Sequence, residues 1–271
     1  MKTLAVLWAH SVESPSKESS VTGSAEQPVT ITPITLDLSR VDQSNLEYFE
    51  YTHDDNLTQL IVPKKGVTVA KIVRGGDTVW TPEENEKFGY VDAYLNKDKK
   101  PELILVVTTS SGASKETYLE LKNGRWESCN NIEERMKGLR TSADYISTFD
   151  IDLASTSDTD KCTIFEVDLL GVTTKHLFPK PGLVATQVKD GDEELWSTSD
   201  RSNRCLSCLV YKNGTEEILE ITVVENLSRR WKFFERSGEA WKSITWNDFF
   251  KKLKIVAGSN SPPHNPSTPS Q

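Results

Sequence analysis

Short apolar segments recur along the chain, and each is bounded by Gly, Pro, Asn or Asp. Thr35–Leu38 alternates apolar and polar positions, which is typical of a strand with one buried face. Val67–Val73 is rich in β-branched residues, and Asp190-Gly191 is a strong hairpin signal. Strands are therefore predicted throughout, and the further segments of the first half are Leu46–Thr52, Leu57–Val62, Thr78–Trp80, Gly89–Leu95, Glu102–Thr109 and Lys115–Leu121.

Two short helices interrupt this β pattern, one near the middle of the chain and one near its end. Asn131 with Glu134, and Thr245 with Asp248, have the spacing of a helix N-cap and its reciprocal partner. The apolar positions after each cap lie on one helical face. They are Ile132, Met136 and Leu139 in the first helix, and Trp246, Phe249, Phe250 and Leu253 in the second.

The chain carries the same pattern twice. Pro63-Lys-Lys-Gly66 leads through a strand and a turn to Trp80, and Pro179-Lys-Pro-Gly182 leads in the same way to Trp196. The offset is 116 residues at each end (63 to 179, 80 to 196). A period of this length indicates a domain duplication, because each copy is long enough to bury its own core. Other matched pairs are Leu36/Ile151, Phe49/Phe165, Tyr94/Tyr211, Ile104/Ile221 and Trp126/Trp241.

The repeat and the composition of the ends predict the domain plan. Two modules are expected at 33–140 and 148–257. Residues 1–11 have the minimal features of a short signal peptide, or form an unstructured end. Residues 12–32 form a disordered leader rich in Ser, Glu, Thr and Pro, and 258–271 form a disordered Pro/Ser tail.

The predicted fold class is α+β. Each module is expected to be an antiparallel β-sheet or partial barrel of about seven strands, with a C-terminal helix packed on it. The helix is the natural cover for the apolar face that a single sheet would otherwise leave exposed to water.

Composition narrows the classes of partner. The chain of 271 residues has a formal charge of −8, and its basic runs lie among acidic residues. Nucleic acid is not expected as a partner, because phosphate binding needs concentrated Lys and Arg. The sequence has no apolar run of the roughly 20 residues that a transmembrane helix needs.

Several of the repeated motifs resemble those of the FAINT domain, a module whose name stands for 'frequently associated in Theileria'. The resemblance rests on the opening aliphatic-Asp-aliphatic strand, the Phe-Glu segments at Phe49 and Phe165, the Pro-Lys-x-Gly turns, and a late Trp before a helix. It covers nearly all of the predicted folded sequence. It implies a secreted protein of an intracellular apicomplexan parasite, exported to the host cell cytoplasm or nucleus, with no catalytic residues and no cofactor.

Comparison of the two copies serves as an internal control for candidate cysteine chemistry. Cys205 and Cys208 have the spacing of a zinc or redox motif, but the matched positions are Phe88 and Val91. Cys162 matches Leu46. No second pair completes a metal site, and positions i and i+3 of a regular strand face opposite ways. Buried thiols are therefore favoured over a local disulfide, and no metal is expected. Cys129 falls in a loop as a candidate free thiol.

The histidines give no repeated catalytic pattern. His53 matches Leu169, and His176 matches Leu60. Neither copy pairs a His with a nucleophile and an acid at matched positions, so a catalytic triad is not expected. No catalytic, cofactor-binding or metal-binding residue is assigned, and the chain is not expected to be an enzyme.

The residues that both copies keep are interpreted as structural anchors. Glycines suit turns with positive φ, and tryptophans bury large apolar surfaces. The anchors are Pro63, Gly66, Gly75, Trp80, Trp126, Pro179, Gly182, Gly191, Trp196 and Trp241.

The expected function is that of a secreted, non-catalytic interaction module with a protein partner, such as a host protein. The alternative is a small-ligand or carbohydrate binding protein that uses a cavity or an exposed Trp. In either case the binding site is expected where the two copies differ.

Overall fold

The computed structural model describes residues 32–110, 113–141, 144–145, 147–200 and 202–256. The predicted signal peptide at 1–11 and tail at 258–271 lie outside these residues, as does the leader at 12–32 apart from Thr32. Those three predictions therefore remain predictions.

Within the described residues, each copy contains nine strands followed by one helix. In the first copy these are β1 (Thr32–Asp37), β2 (Leu46–His53), β3 (Asn56–Pro63), β4 (Val67–Arg74), β5 (Asp77–Trp80), β6 (Lys87–Leu95), β7 (Pro101–Ser110), β8 (Ala113–Lys122), β9 (Arg125–Ser128) and α1 (Ile132–Leu139). In the second they are β10 (Ser147–Asp152), β11 (Cys162–Leu169), β12 (Val172–Pro179), β13 (Leu183–Asp190), β14 (Glu193–Ser197), β15 (Arg204–Asn213), β16 (Glu216–Glu225), β17 (Ser228–Ser237), β18 (Ala240–Ile244) and α2 (Trp246–Val256).

The main sheet of each copy is an antiparallel run that curls into a half-barrel. Its order is β2-β3-β6-β7-β8-β9 in the first copy and β11-β12-β15-β16-β17-β18 in the second. The helices begin at the predicted caps, where Asn131 accepts from the Glu134 backbone N–H at 3.4 Å and Thr245 from that of Asp248 at 3.2 Å. The two-module α+β fold predicted from the sequence is confirmed.

One strand pair in each copy runs parallel, which the sequence pattern did not indicate. β1 pairs with β4, and β10 pairs with β13, each with a bulge at the equivalent place. Between the partners the chain makes the hairpin β2–β3 or β11–β12, which belongs to the main sheet. After this hairpin the chain returns as β4 or β13, which lies beside the first strand of its module and runs in the same direction. The short strand β5 was predicted at Thr78–Trp80, whereas β9 was not, and the nine strands of each copy exceed the expected count of about seven.

The sheet register also corrects the alignment of β7 with β16. Tyr94 pairs with Leu103, while its counterpart Tyr211 pairs with Ile218. The offset in these strands is therefore 115 residues (103 to 218), and Ile104 is not equivalent to Ile221. The hairpin before β16 is shorter than that before β7, which accounts for the two-residue slip. On the corrected alignment Glu220 is equivalent to Leu105.

Each module has its own core, and a third core lies between the modules. The first module buries Leu36, Ile72 and Ile104 together, and the second buries Ile151 and Ile221. The third cluster combines residues of both modules. It includes Leu60, Leu103, Leu105 and Val107 from the first, and Val167, Leu169, Val172, Phe249 and Leu253 from the second. The two copies therefore bury apolar surface against each other.

Equivalent positions of the two modules meet at the interface between them. The equivalent rings of Phe49 and Phe165 stack with centroids 4.3 Å apart and planes 11° apart. Contact between equivalent positions is the signature of a two-fold relation, as in symmetric dimers. Leu170, at the tip of the β11–β12 hairpin, packs beside Gly89 of β6 in the first module.

Gly89→Ala is expected to weaken the packing between the modules. A Cβ at this position would lie 2.6 Å from Leu170 Cδ2 and 3.1 Å from the Val107 carbonyl oxygen. Crowding of this kind destabilises by roughly 1–3 kcal/mol. The measurement is the free energy of unfolding in urea. In a double-mutant cycle, Leu170→Ala should recover part of the loss, because it removes the closest contact. Strictly additive effects would contradict the packing described.

Candidate functional site

The repeated tryptophans lie in the module cores. Trp80, Trp196 and Trp241 are buried, and Trp126 is half-buried against the first core. The indole N–H of Trp196 donates to Glu225 and that of Trp241 to Asp190, each at 2.8 Å. The repeated turn residues lie at strand ends and turns. Pro63 and Pro179 end β3 and β12, and φ is 83° at Gly66, 79° at Gly182, and 58° at both Gly75 and Gly191.

A β-bulge places two cysteines on the same side of β15. The register shifts between Cys205 and Ser207, so Cys205 and Cys208 both enter the second core with their Sγ atoms 3.8 Å apart. The rule that positions i and i+3 face opposite ways does not hold across such a bulge. Both cysteines are free thiols, as are the buried Cys129 and Cys162. Burial raises the pKa of Cys162 to about 12 and that of Cys208 well above its usual value.

No group of His, Cys, Asp and Glu side chains within the described residues could hold a metal ion. Among the helices that the structure describes, none is long and apolar enough to cross a membrane.

A cleft of about 810 Å³ is lined by residues of both modules. Met136 and Lys137 of α1 line it from the first module, and Trp246 and Phe250 of α2 from the second. Hairpin β16–β17 adds Leu227, which is 89% exposed. The two helices that cover the sheets therefore also form walls of the cleft.

Exposed apolar side chains are concentrated in this cleft. Five large hydrophobic side chains are exposed among the described residues, and Leu227, Trp231 and Trp246 all line the cleft. Trp246 is held against Phe250, with ring centroids 4.0 Å apart. Contiguous exposed apolar surface of this kind is typical of an interaction site.

Asp54 is the ionic centre of the cleft. It lies at the tip of hairpin β2–β3 with a φ of 50°, and its side chain is largely buried. Its carboxylate pairs with Arg140 at the end of α1 and with Arg229 on β17. Arg204 on β15 approaches it to 3.9 Å. The first module's hairpin tip is thereby tied to two strands of the second.

A smaller pocket of about 90 Å³ adjoins the cleft at the module interface. Glu220, Arg229 and Trp231 line both spaces. Besides Arg229, two imidazoles and two carboxyl groups line the inner pocket, namely those of His53, His176, Asp92 and Glu220. Its other walls include the aromatic rings of Tyr51, Tyr90, Phe178 and Tyr211.

These four groups have strongly shifted pKa values. Burial raises the pKa of Asp92 to about 7, although the hydrogen bond that Tyr51 Oη donates to it at 3.2 Å acts to lower that pKa. Burial likewise raises the pKa of Glu220 to about 7, although the residue is only partly buried. Loss of hydration lowers the pKa of His53 and of His176 to about 3. At mildly acidic pH the pocket therefore holds neutral carboxyls and neutral imidazoles.

Each of the four groups is matched by a leucine in the other copy. The sheet pairs Leu60 with Asp92 in the first module and His176 with Leu209 in the second, so both positions differ between the copies. His53 matches Leu169, and Glu220 matches Leu105. Sequence comparison singled out both histidines as unmatched, but it did not show that they converge with two carboxyls.

The site and fold define a class: a two-module α+β protein with a cleft and an ionisable pocket between its modules. A family model described as FAINT, a domain of unknown function, DUF529, matches residues 35–112 and 148–228. The chain belongs to the FAINT family and carries two tandem copies of the domain. No curated protein and no solved structure is significantly similar to the chain.

Asp92→Asn is expected to change how stability depends on pH. In the folded wild type two carboxyls keep a proton and two imidazoles lose one, relative to the unfolded chain. Between about pH 4.5 and 6.5 the carboxyls and the imidazoles therefore make opposite and equal contributions to the pH dependence of the unfolding free energy. Without the Asp92 carboxyl the imidazoles dominate, so stability relative to wild type should rise by about 1.4 kcal/mol per pH unit.

Urea denaturation across that pH range measures this difference. His176→Leu is the matched variant, because it introduces the residue of the other copy. This substitution removes the His176 imidazole, which disfavours folding as pH falls because it is protonated only in the unfolded chain. The stability of the variant relative to wild type should therefore decrease as pH rises. Unfolding free energies that stay parallel to wild type in both variants would contradict the shifted pKa values of Asp92 and His176.

Proposed function

We propose that the chain is a secreted, non-catalytic interaction protein whose two FAINT domains hold a partner polypeptide in the cleft between them. The observation that carries the proposal is the convergence of three exposed large hydrophobic side chains on that cleft. An interface needs such an apolar centre with a polar rim, and aromatic residues are its usual anchors.

The charge of the cleft favours a partner segment with acidic residues beside an apolar anchor. Lys137, Arg140, Arg204 and Arg229 line the cleft, against the acidic Asp54, Glu133 and Glu220. This is a basic surplus in a chain of net charge −8. Arg204 is 3.9 Å from Asp54 and 3.8 Å from Asp55, beyond hydrogen-bond distance, so its guanidinium can engage a further carboxylate.

The location of the partner is part of the proposal. The FAINT resemblance supports secretion by a parasite cell and export into its host, so we propose a host polypeptide as the partner. The alternative function, binding of a small ligand, is favoured by a separate observation, which is the ionisable inner pocket. A ligand confined to that pocket would leave Leu227 and Trp246 exposed.

A displayed random peptide library tests the cleft directly. Selection on the protein should enrich segments with a bulky apolar residue flanked by Asp or Glu. Trp231→Ala should weaken the selected peptides by about tenfold or more, which is the usual effect of losing an interface anchor. Binding should also weaken as salt is raised.

Ile255→Ala is the matched control, because Ile255 is an exposed large hydrophobic residue that does not line the cleft. It should leave peptide affinity within about twofold of wild type. Enriched peptides that bind the Trp231 and Ile255 variants equally would contradict docking in the cleft, and so would a selection without enrichment.

A further inference from the structure

We infer that the inner pocket binds a primary ammonium group on an aliphatic stem, carried by a free amine or by a lysine side chain of a bound polypeptide. The inference goes beyond the proposed function. Binding of a free amine does not depend on that function, because the amine can enter the pocket while the cleft holds no partner, whereas binding of a lysine side chain rests on it.

The first argument is the state of the two carboxyls. Asp92 accepts a hydrogen bond from the neutral Tyr51 hydroxyl, and Glu220 accepts one from Thr222 at 3.4 Å. Neither forms an ion pair within the described residues. Loss of hydration without a neighbouring cation is costly for a carboxylate, so the pKa of both groups is about 7 and both are largely protonated at mildly acidic pH. An ammonium ion placed between these walls would supply the missing positive charge.

The second argument is the set of acceptors that would receive its N–H groups. His53 and His176 are 5% and 6% exposed, and each neutral imidazole offers one acceptor nitrogen. Neither ring nitrogen of His176 has a hydrogen-bond partner among the described residues, nor does Nδ1 of His53. A buried polar atom left in this way needs an explanation, and a ligand with several donors provides one.

The third argument is the character and size of the pocket. The rings of Tyr51, Tyr90, Phe178, Tyr211 and Trp231 surround it, and aromatic faces attract cations. Its volume of about 90 Å³ is below the roughly 150 Å³ of a cavity that accepts benzene. It therefore fits the end of an alkylammonium chain, whose remaining atoms would extend past Glu220 and Trp231 into the cleft.

Arg229 is the one Lys or Arg side chain that lines the inner pocket, and its charge is only partly compensated. Its guanidinium pairs with the Asp54 carboxylate on the cleft side, which Arg140 shares. The neutral histidines add no positive charge near neutral pH. The negative charge that an ammonium ion needs therefore comes from Asp92 and Glu220, which become anionic once the ligand is present.

The experiment is a titration of the whole protein at about pH 6, below the raised carboxyl pKa values. The probes are n-pentylamine and Nα-acetyl-lysine N-methylamide, with n-pentanol and Nα-acetyl-norleucine N-methylamide as uncharged analogues. Carboxyl-carbon NMR shifts of Asp92 and Glu220 report ionisation directly. Both amines should bind and drive the two carboxyls toward the ionised form, whereas the uncharged analogues should not.

The two amines separate the two sources of the ammonium group. Equal affinity of the two amines would indicate that the pocket binds a free amine. Tighter binding of the lysine derivative would indicate that it binds a lysine side chain of a polypeptide. Glu220→Gln should weaken either amine by about tenfold or more, because a desolvated charge partner is lost. Glu217→Gln on the same strand, outside the pocket, is the control and should bind normally.

The inference is overturned if pentanol or the norleucine derivative binds as tightly as its amine, or if the wild-type carboxyls stay protonated at saturating amine. Absence of amine binding to the wild type overturns it as well. These readouts use the wild type, so they hold even if Glu220→Gln fails to fold. None of them measures docking in the cleft, so failure here leaves the proposed function standing.

Discussion

The packing of one copy of the repeat against the other is the constraint on which the rest of the structure depends. Phe49 and Phe165 stack across the module interface, and the apolar cluster around them draws residues from both modules. Neither half-barrel covers this face by itself, because the matching face of its partner completes the core. The cleft and the inner pocket exist only because this contact fixes one module against the other.

The two halves of this interface share a backbone plan but differ in polarity. The hairpin tip of the first module carries Asp54, which binds arginines, while that of the second carries Leu170, which packs on Gly89. Around the pocket, polar side chains in one copy are likewise matched by leucines in the other. Buried ionisable groups are costly, so an apolar interface would be the more stable one. Their clustering in one pocket supports the ammonium site proposed there, since perturbed ionisable groups concentrate at functional sites.

Much of the fold could be predicted from the sequence, because its signals are local and occur twice. The capping residues Asn131 and Thr245 marked both helices, and the paired Pro, Gly and Trp positions marked the repeat. The parallel pairing of β1 with β4 leaves no local pattern, since it depends on which sheet the intervening hairpin joins. The bulge that brings Cys205 beside Cys208 is equally invisible in a spacing rule.

The site could be predicted only in part. The histidines were recognised as unmatched between the copies, and the expectation that binding residues lie where the copies differ led toward them. Asp92 gave no signal, because a lone acid in a strand is ordinarily taken as solvent-facing. Glu220 was obscured by the two-residue slip between β7 and β16. Convergence of these residues requires the inter-module contact, which the sequence pattern of either module alone does not specify.

Calorimetric unfolding of the whole chain tests most directly whether the two modules form one cooperative unit. The shared core predicts a single transition whose calorimetric and van't Hoff enthalpies agree, because neither module can unfold without exposing the apolar face of the other. Two separate transitions, each with the enthalpy of one module, would contradict the account and would mean that the cleft is not a fixed feature of the protein.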